Sequence, residues 1–84
     1  LRLVLMAIAP GGDLPAHSTD EPVTIHVTDG DVVFRAIDRE YPLTKGDFLV
    51  VAAGVEHSAV SEDGCVFLLT VVRSDSGSQA DLQP

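Results

Sequence analysis

The sequence predicts an all-β fold, a small sandwich or barrel, and three observations carry that prediction. Turn-forming clusters recur at short intervals: Pro10-Gly11-Gly12-Asp13, Asp29-Gly30, Asp38-Arg39, Lys45-Gly46-Asp47, Gly54 and Glu62-Asp63-Gly64. Between them lie runs rich in Val, Ile, Leu, Phe and Thr, side chains that suit a pleated, half-buried backbone. No stretch repeats apolar residues at i, i+3, i+4 and i+7 for the length a helix needs, so helix is expected to be nearly absent.

The expected strands are, in order, residues 1–9, 23–28, 31–37, 40–43, 48–51, 57–60 and 65–72. The first and last are apolar on both faces apart from Thr70, whereas a strand with one solvated face alternates. Such strands need cover on their second face, from another layer or another chain. Residues 23–28 alternate, with Val23, Ile25 and Val27 on one side and Thr24, His26 and Thr28 on the other. Asp29-Gly30 then reads as a hairpin turn, since Asp-Gly suits a type I′ turn in which both central residues take positive φ. The last dozen residues, RSDSGSQADLQP, are polar and aperiodic and are expected to form a flexible tail over 73–84.

Eighty-four residues make one small domain. At about this size core burial and chain entropy nearly cancel. Yet 45% of the residues are hydrophobic and the mean hydropathy is +0.25. Cys65 is the only cysteine, so no disulfide helps. We therefore expect the core to be shared with a partner chain. Thirteen acidic residues against five basic ones give a net charge of −8. The cations Arg2, Arg35, Arg39, Lys45 and Arg73 are scattered, which argues against nucleic acid and anionic membranes alike. No apolar run reaches the roughly 18–20 residues of a membrane helix.

Arg2 followed by the apolar residues 3–9, with Ala7-x-Ala9 at its end, has the form of a stunted signal peptide; at this length a strand is the plainer reading. No Met precedes Leu1, so residues upstream are expected. Without an Asn there is no glycosylation acceptor, and the cytoplasm is the expected compartment.

Two sets of spacings resemble the motifs of the cupin family. The first motif, G-x5-H-x-H-x3,4-E-x6-G, finds its opening glycine in Gly11 or, one position short, Gly12. Its first histidine is His17 and its closing glycine Gly30, thirteen positions further on. The second, G-x5-P-x-G-x2-H-x3-N, finds Gly46, Gly54 and His57. The resemblance covers nearly the whole chain up to Val72 and is most specific over residues 45–57. It implies a cupin-like double-stranded β-helix, or jelly-roll barrel, over residues 1–72, with the site inside a narrow barrel and the protein a homodimer.

Metal-binding cupins use three histidines and a glutamate. Here Thr19 stands at the second histidine position, Val23 at the glutamate, Ala52 at the proline and Ser61 at the asparagine. Of the usual ligands His17 and His57 remain. Two imidazoles suit a divalent transition metal such as Fe, Mn, Ni or Zn, although stable sites use three or more protein ligands. Asp20 and Glu21, in the loop after His17, could swing in. The resemblance implies a barrel lined by His17, Thr19, Val23, His57 and Phe48 or Val50.

Strand parity turns His26 away from any barrel that Val23 faces, leaving it an outward polar residue or an interface contact. His57 and Ser58 are consecutive on a strand and so point to opposite faces, which excludes a nucleophile–base pair. Cys65 has no cation or helix N-terminus to activate it and reads as core filling. The pairs Asp20-Glu21 and Glu62-Asp63 sit in loops, where carboxylates are solvated rather than catalytic. Phe34 and Tyr41 read as core or sheet-surface aromatics. Three function classes follow: a small-molecule binding cupin with a weak or absent metal site, a metal-dependent oxygenase or isomerase with His17 and His57 as ligands, and a sensory or structural module without a ligand.

Overall fold

Seven strands follow one another and pair antiparallel throughout: β1 (Arg2–Ile8), β2 (Gly12–His17), β3 (Val23–Ala36), β4 (Arg39–Thr44), β5 (Phe48–Val51), β6 (His57–Ser61) and β7 (Cys65–Val71). The computed structural model describes residues 1–72, among which there is no helix. The segment 73–84, expected to be a tail, lies outside the described residues.

The long strand β3 organises the rest. Its first half pairs with β7 and β5, and β7 with β1, giving one layer, β1-β7-β3-β5. Its second half pairs with β6 and β4, and β6 with β2, giving a second layer, β2-β6-β3-β4. The two layers are one sheet curled back on itself, the jelly-roll arrangement that the motif spacings implied.

The expected hairpin at Asp29-Gly30 is not formed: the two strands expected at 23–28 and 31–37 are the single strand β3, which ends at Ala36. Gly30 does take a positive φ of 76°, but inside the strand, where the β3–β7 register shifts between Val27 and Asp29. A bulge of this kind bends a strand and sharpens its twist, and here it carries β3 from one layer to the other. Only glycine fits, because a Cβ would land on the Gly64 carbonyl oxygen and 2.9 Å from Cys65 Cα. The type I′ turn lies instead at Ile37 and Asp38, with φ of 50° and 59°, between the paired residues Ala36 and Arg39.

The strand β2 is the element that sequence pattern missed. Its sequence, GDLPAH, neither alternates nor runs apolar, and Pro15 weighs against a strand. It forms because β2 is an edge strand, paired only with β6, where a missing N–H is tolerated.

Between the layers lies the core. Val23, Ile25 and Val27 of β3 are completely buried, as alternation required, together with Val32, Phe34, Val51, Ala59, Cys65 and Phe67. Phe34 from one layer meets Phe67 from the other edge-on, their ring centroids 5.6 Å apart, a geometry that suits the opposed charge of ring edge and face. Cys65 is buried filling. The Ser61 hydroxyl, also buried, donates to the Asp31 carbonyl at 2.7 Å and so satisfies itself.

Candidate functional site

His17 and His57 come together at one end of the sandwich. They stand opposite each other in the β2–β6 register, with ring centroids 4.5 Å apart and planes tilted by 58°. Leu14 pairs with Ala59 and faces the interior, so strict alternation would turn Ala16 inward and His17 outward. The register shift between Leu14 and His17 adds one residue to β2 and reverses that parity. The bulge at Pro15-Ala16 therefore delivers His17 to His57.

Both rings are held the same way. His17 Nδ1 lies 3.0 Å from the Pro15 carbonyl oxygen and His57 Nδ1 lies 2.9 Å from that of Val55. A carbonyl can only accept, so each Nδ1 carries the proton and donates. Each neutral ring is thereby left with its lone pair on Nε2, free for a ligand. His57 is buried, 3% exposed, whereas His17 is exposed at the rim. Upstream, Gly54 donates its N–H to the Thr19 carbonyl at 2.8 Å, tying the loop that follows His17 to the turn that precedes His57.

The interior beside the two rings is almost full. A cavity of about 30 Å3 remains, room for about one water, walled chiefly by Met6, Leu14, Phe34, Phe67 and Leu69 with both histidines. Wider space opens on the outer side of His57: a hollow of about 470 Å3 bordered by Arg35, Ile37, Val55, Glu56, His57 and Ser58. A second hollow, of about 330 Å3, lies across the β3–β4 turn against Tyr41, Leu49, Val51 and Val55.

Several residues expected to line the barrel are elsewhere. Phe48 and Val50 point to solvent, 58% and 62% exposed, because Leu49 and Val51 take the inward positions of β5. Val23 is fully buried, on pairs with Val51 and Val71, and does not border the cavity. Thr19 is held in the loop, its hydroxyl donating to the Glu21 carbonyl at 2.7 Å. His26 lies off the interior, its ring 5.9 Å from that of Phe48. The apolar wall residues went unnamed at the sequence level. Leu14 sits on the missed strand, while Phe67 and Leu69 could have been read from the period-2 spacing of β7.

The donor set tests the metal that cupins imply. Among the described residues no three of His, Cys, Asp and Glu gather as a metal centre. Two imidazoles fall short of the three or more protein ligands of a stable site, so these residues do not by themselves fit a resident metal.

With fold and site in view, comparison places the chain. The cupin domain model matches residues 4–72, and the chain belongs to the cupin family. Among solved structures it is similar to a conserved protein of unknown function from Streptococcus pyogenes, at 19% identity and a TM-score of 0.83 over 87% of this chain and 64% of that one. It is similar also to a cupin superfamily protein from Desulfitobacterium hafniense, at 18% identity and a TM-score of 0.78 over 84% and 66%. An RmlC-like cupin from Shewanella frigidimarina matches at 26% identity and a TM-score of 0.73 over 86% and 70%. The chain thus spans about two thirds of the length of these structures. No curated protein matches it.

Proposed function

We propose that this chain is a binding cupin that holds a small polar molecule at the His17–His57 end of the sandwich, with no resident metal required. The observation that supports this reading most is the matched pair of imidazoles, each fixed through Nδ1 and each presenting a free Nε2 acceptor. The cavity between the layers is too small for more than about one water, so the ligand rests in the hollow outside His57. In this reading a hydrogen-bond donor of the ligand goes to His57, which borders that hollow, and its carbon skeleton lies on Val55 and Ile37. Polyols and short protonated acids have that chemistry. The charge of −8 and the scattered cations argue against nucleic acid and anionic membranes as partners, and we place the protein in the cytoplasm. No reaction is assigned.

The second reading is a metal-dependent oxygenase or isomerase with His17 and His57 as ligands, and the same two free Nε2 atoms favour it. It requires the missing donors to come from water, substrate or a loop carboxylate such as Asp20.

A thermal-shift panel of polyols and short carboxylic acids tests the binding reading, run on the wild type and on His57→Ala. At least one compound should raise Tm in the wild type and lose that effect in the variant. A panel without effect, or one with equal shifts in both proteins, overturns it.

A further inference from the structure

The hollow across the β3–β4 turn is a place where inward-facing apolar side chains stay wet. Tyr41 stands opposite the buried Phe34, and Leu49 takes an inward position of β5; both pack against the core, yet both are only half-buried. The cause is topological. The strands β4 and β5 each pair with β3 and form no ladder with each other, so the sandwich stays open between them. Tyr41 from one layer and Leu49 and Val51 from the other border that opening, a space of about 330 Å3. Its volume falls within the range of small-molecule sites, and every side chain on its border except that of Tyr41 is apolar.

This hollow and the one beside His57 are continuous, because Ala36, Ile37 and Val55 border both. At the join Ile37 is held at a φ of 50°. Backbone strain on a β-branched residue persists where the surroundings fix it, and such strain gathers at ligand clamps.

We propose that the two hollows take one ligand, a small amphiphile with a hydroxylated, non-anionic head beside His57 and an aliphatic tail between Tyr41 and Leu49. This deepens the binding function proposed for the His57 end, and rests on it. The tail follows from the half-buried apolar wall: a chain laid there removes its own surface and that of Tyr41, Leu49 and Val55 from water, and the gain grows with each methylene. The head follows from charge. Asp38 and Glu56 border the hollow beside His57, and both are exposed. Arg35, the one Lys or Arg on that border, is paired with Glu40. A carboxylate head would therefore meet two carboxylates on a chain of net charge −8. A hydroxyl offers His57 a donor without that repulsion.

Tyr41 is the only tyrosine of the chain, which has no tryptophan, so its emission reports from the proposed tail site itself. The whole chain is titrated with hexylglycerol, ethylglycerol and hexanoate, with Kd read from 1H–15N shifts and tail placement from the tyrosine emission. Wild type, Ala52→Asp and His57→Ala are compared. Ala52 is exposed on the border of the tail hollow, so an aspartate there sets a charge beside the tail without entering the core. Hexylglycerol should change the Tyr41 emission saturably and bind at least about tenfold more tightly than ethylglycerol. In Ala52→Asp that advantage should fall to about twofold at most, with β-sheet circular dichroism unchanged. Hexanoate should bind at least about tenfold more weakly than hexylglycerol. Equal affinity for the two glycerol ethers in the wild type, or a hexyl advantage undiminished in folded Ala52→Asp, overturns the tail site. Hexanoate binding as tightly as hexylglycerol overturns the non-anionic head. If the two ethers bind equally and His57→Ala abolishes both, the amphiphile falls and the binding function at His57 stands. If hexylglycerol keeps its full affinity in His57→Ala, the tail site stands and the place of the head beside His57 falls. No saturable response to any of the three compounds overturns both.

Discussion

His17 and His57 face each other across the β2–β6 ladder with ring centroids 4.5 Å apart, and each donates its Nδ1–H in a hydrogen bond to the carbonyl two residues before it. One backbone device, used twice, fixes the tautomer of both rings. What differs is depth, since His57 is walled in by the core and His17 stands at the rim. The pair offers one buried acceptor and one accessible acceptor, separated by a single ladder step.

The first prediction concerns those tautomers. In long-range 1H–15N spectra at pH 8, both rings should show protonated Nδ1 and unprotonated Nε2, while His26 has no such carbonyl to constrain it. An Nε2-protonated His57 would remove the acceptor on which the binding reading depends.

The second separates the two functional readings. Protein incubated with Fe2+, Mn2+, Ni2+ or Zn2+ and then desalted should retain well under one metal per chain, because two imidazoles without a third protein ligand bind weakly. His17→Ala should then melt at the same temperature with and without added metal. Stoichiometric retention by elemental analysis, lost in His17→Ala, would transfer the case to the metal-dependent enzyme.

Much of the fold was legible in the sequence because apolar runs and turn residues report local needs. The doubly apolar residues 1–9 and 65–72 became β1 and β7, and the alternation from Val23 to Thr28 sorted core from surface correctly. Two features were not legible, each for a tertiary reason. Residues 12–17 form β2 only because β6 is there to pair with them. Asp29-Gly30 carries a hairpin signal, yet the glycine is spent on a bulge against the Gly64 backbone, a partner thirty-four positions away. At the site, family spacing brought forward His17 and His57, which do meet. It equally brought forward Thr19 and Val23, whose side chains the fold uses for a loop hydrogen bond and for core packing.

The third prediction isolates that bulge. Gly30→Ala must adopt a left-handed φ and also force the β3 backbone away from Gly64 and Cys65. Gly46→Ala has a similar φ of 93° with nothing within 4 Å of its Cβ. The second should cost about 1–2 kcal/mol for handedness alone. The first should cost at least about 2 kcal/mol more, by analogy with forced overpacking. Urea denaturation of the two variants measures the difference, and equal losses would mean that β3 can slide off Gly64 without penalty.

The last prediction runs toward greater stability. Ile37 occupies the first central position of the type I′ turn at φ 50° and is 72% exposed. A β-branched side chain is poorly suited to left-handed backbone, and at this exposure its burial repays little of that cost. Asn enters the same region readily and is a preferred residue at this position of the turn. Ile37→Asn should therefore stabilise the protein by about 1 kcal/mol, raising Tm by about 4–8 °C for a domain of this size. Ile37 also borders both hollows that flank the turn, which separates two reasons for its presence. If Tm rises and a compound that stabilises the wild type binds less well, the isoleucine is a ligand contact kept at the expense of stability. If Tm falls instead, the side chain packs on the mouth of the sandwich more firmly than its exposure indicates, and the strain at φ 50° is outweighed by that contact.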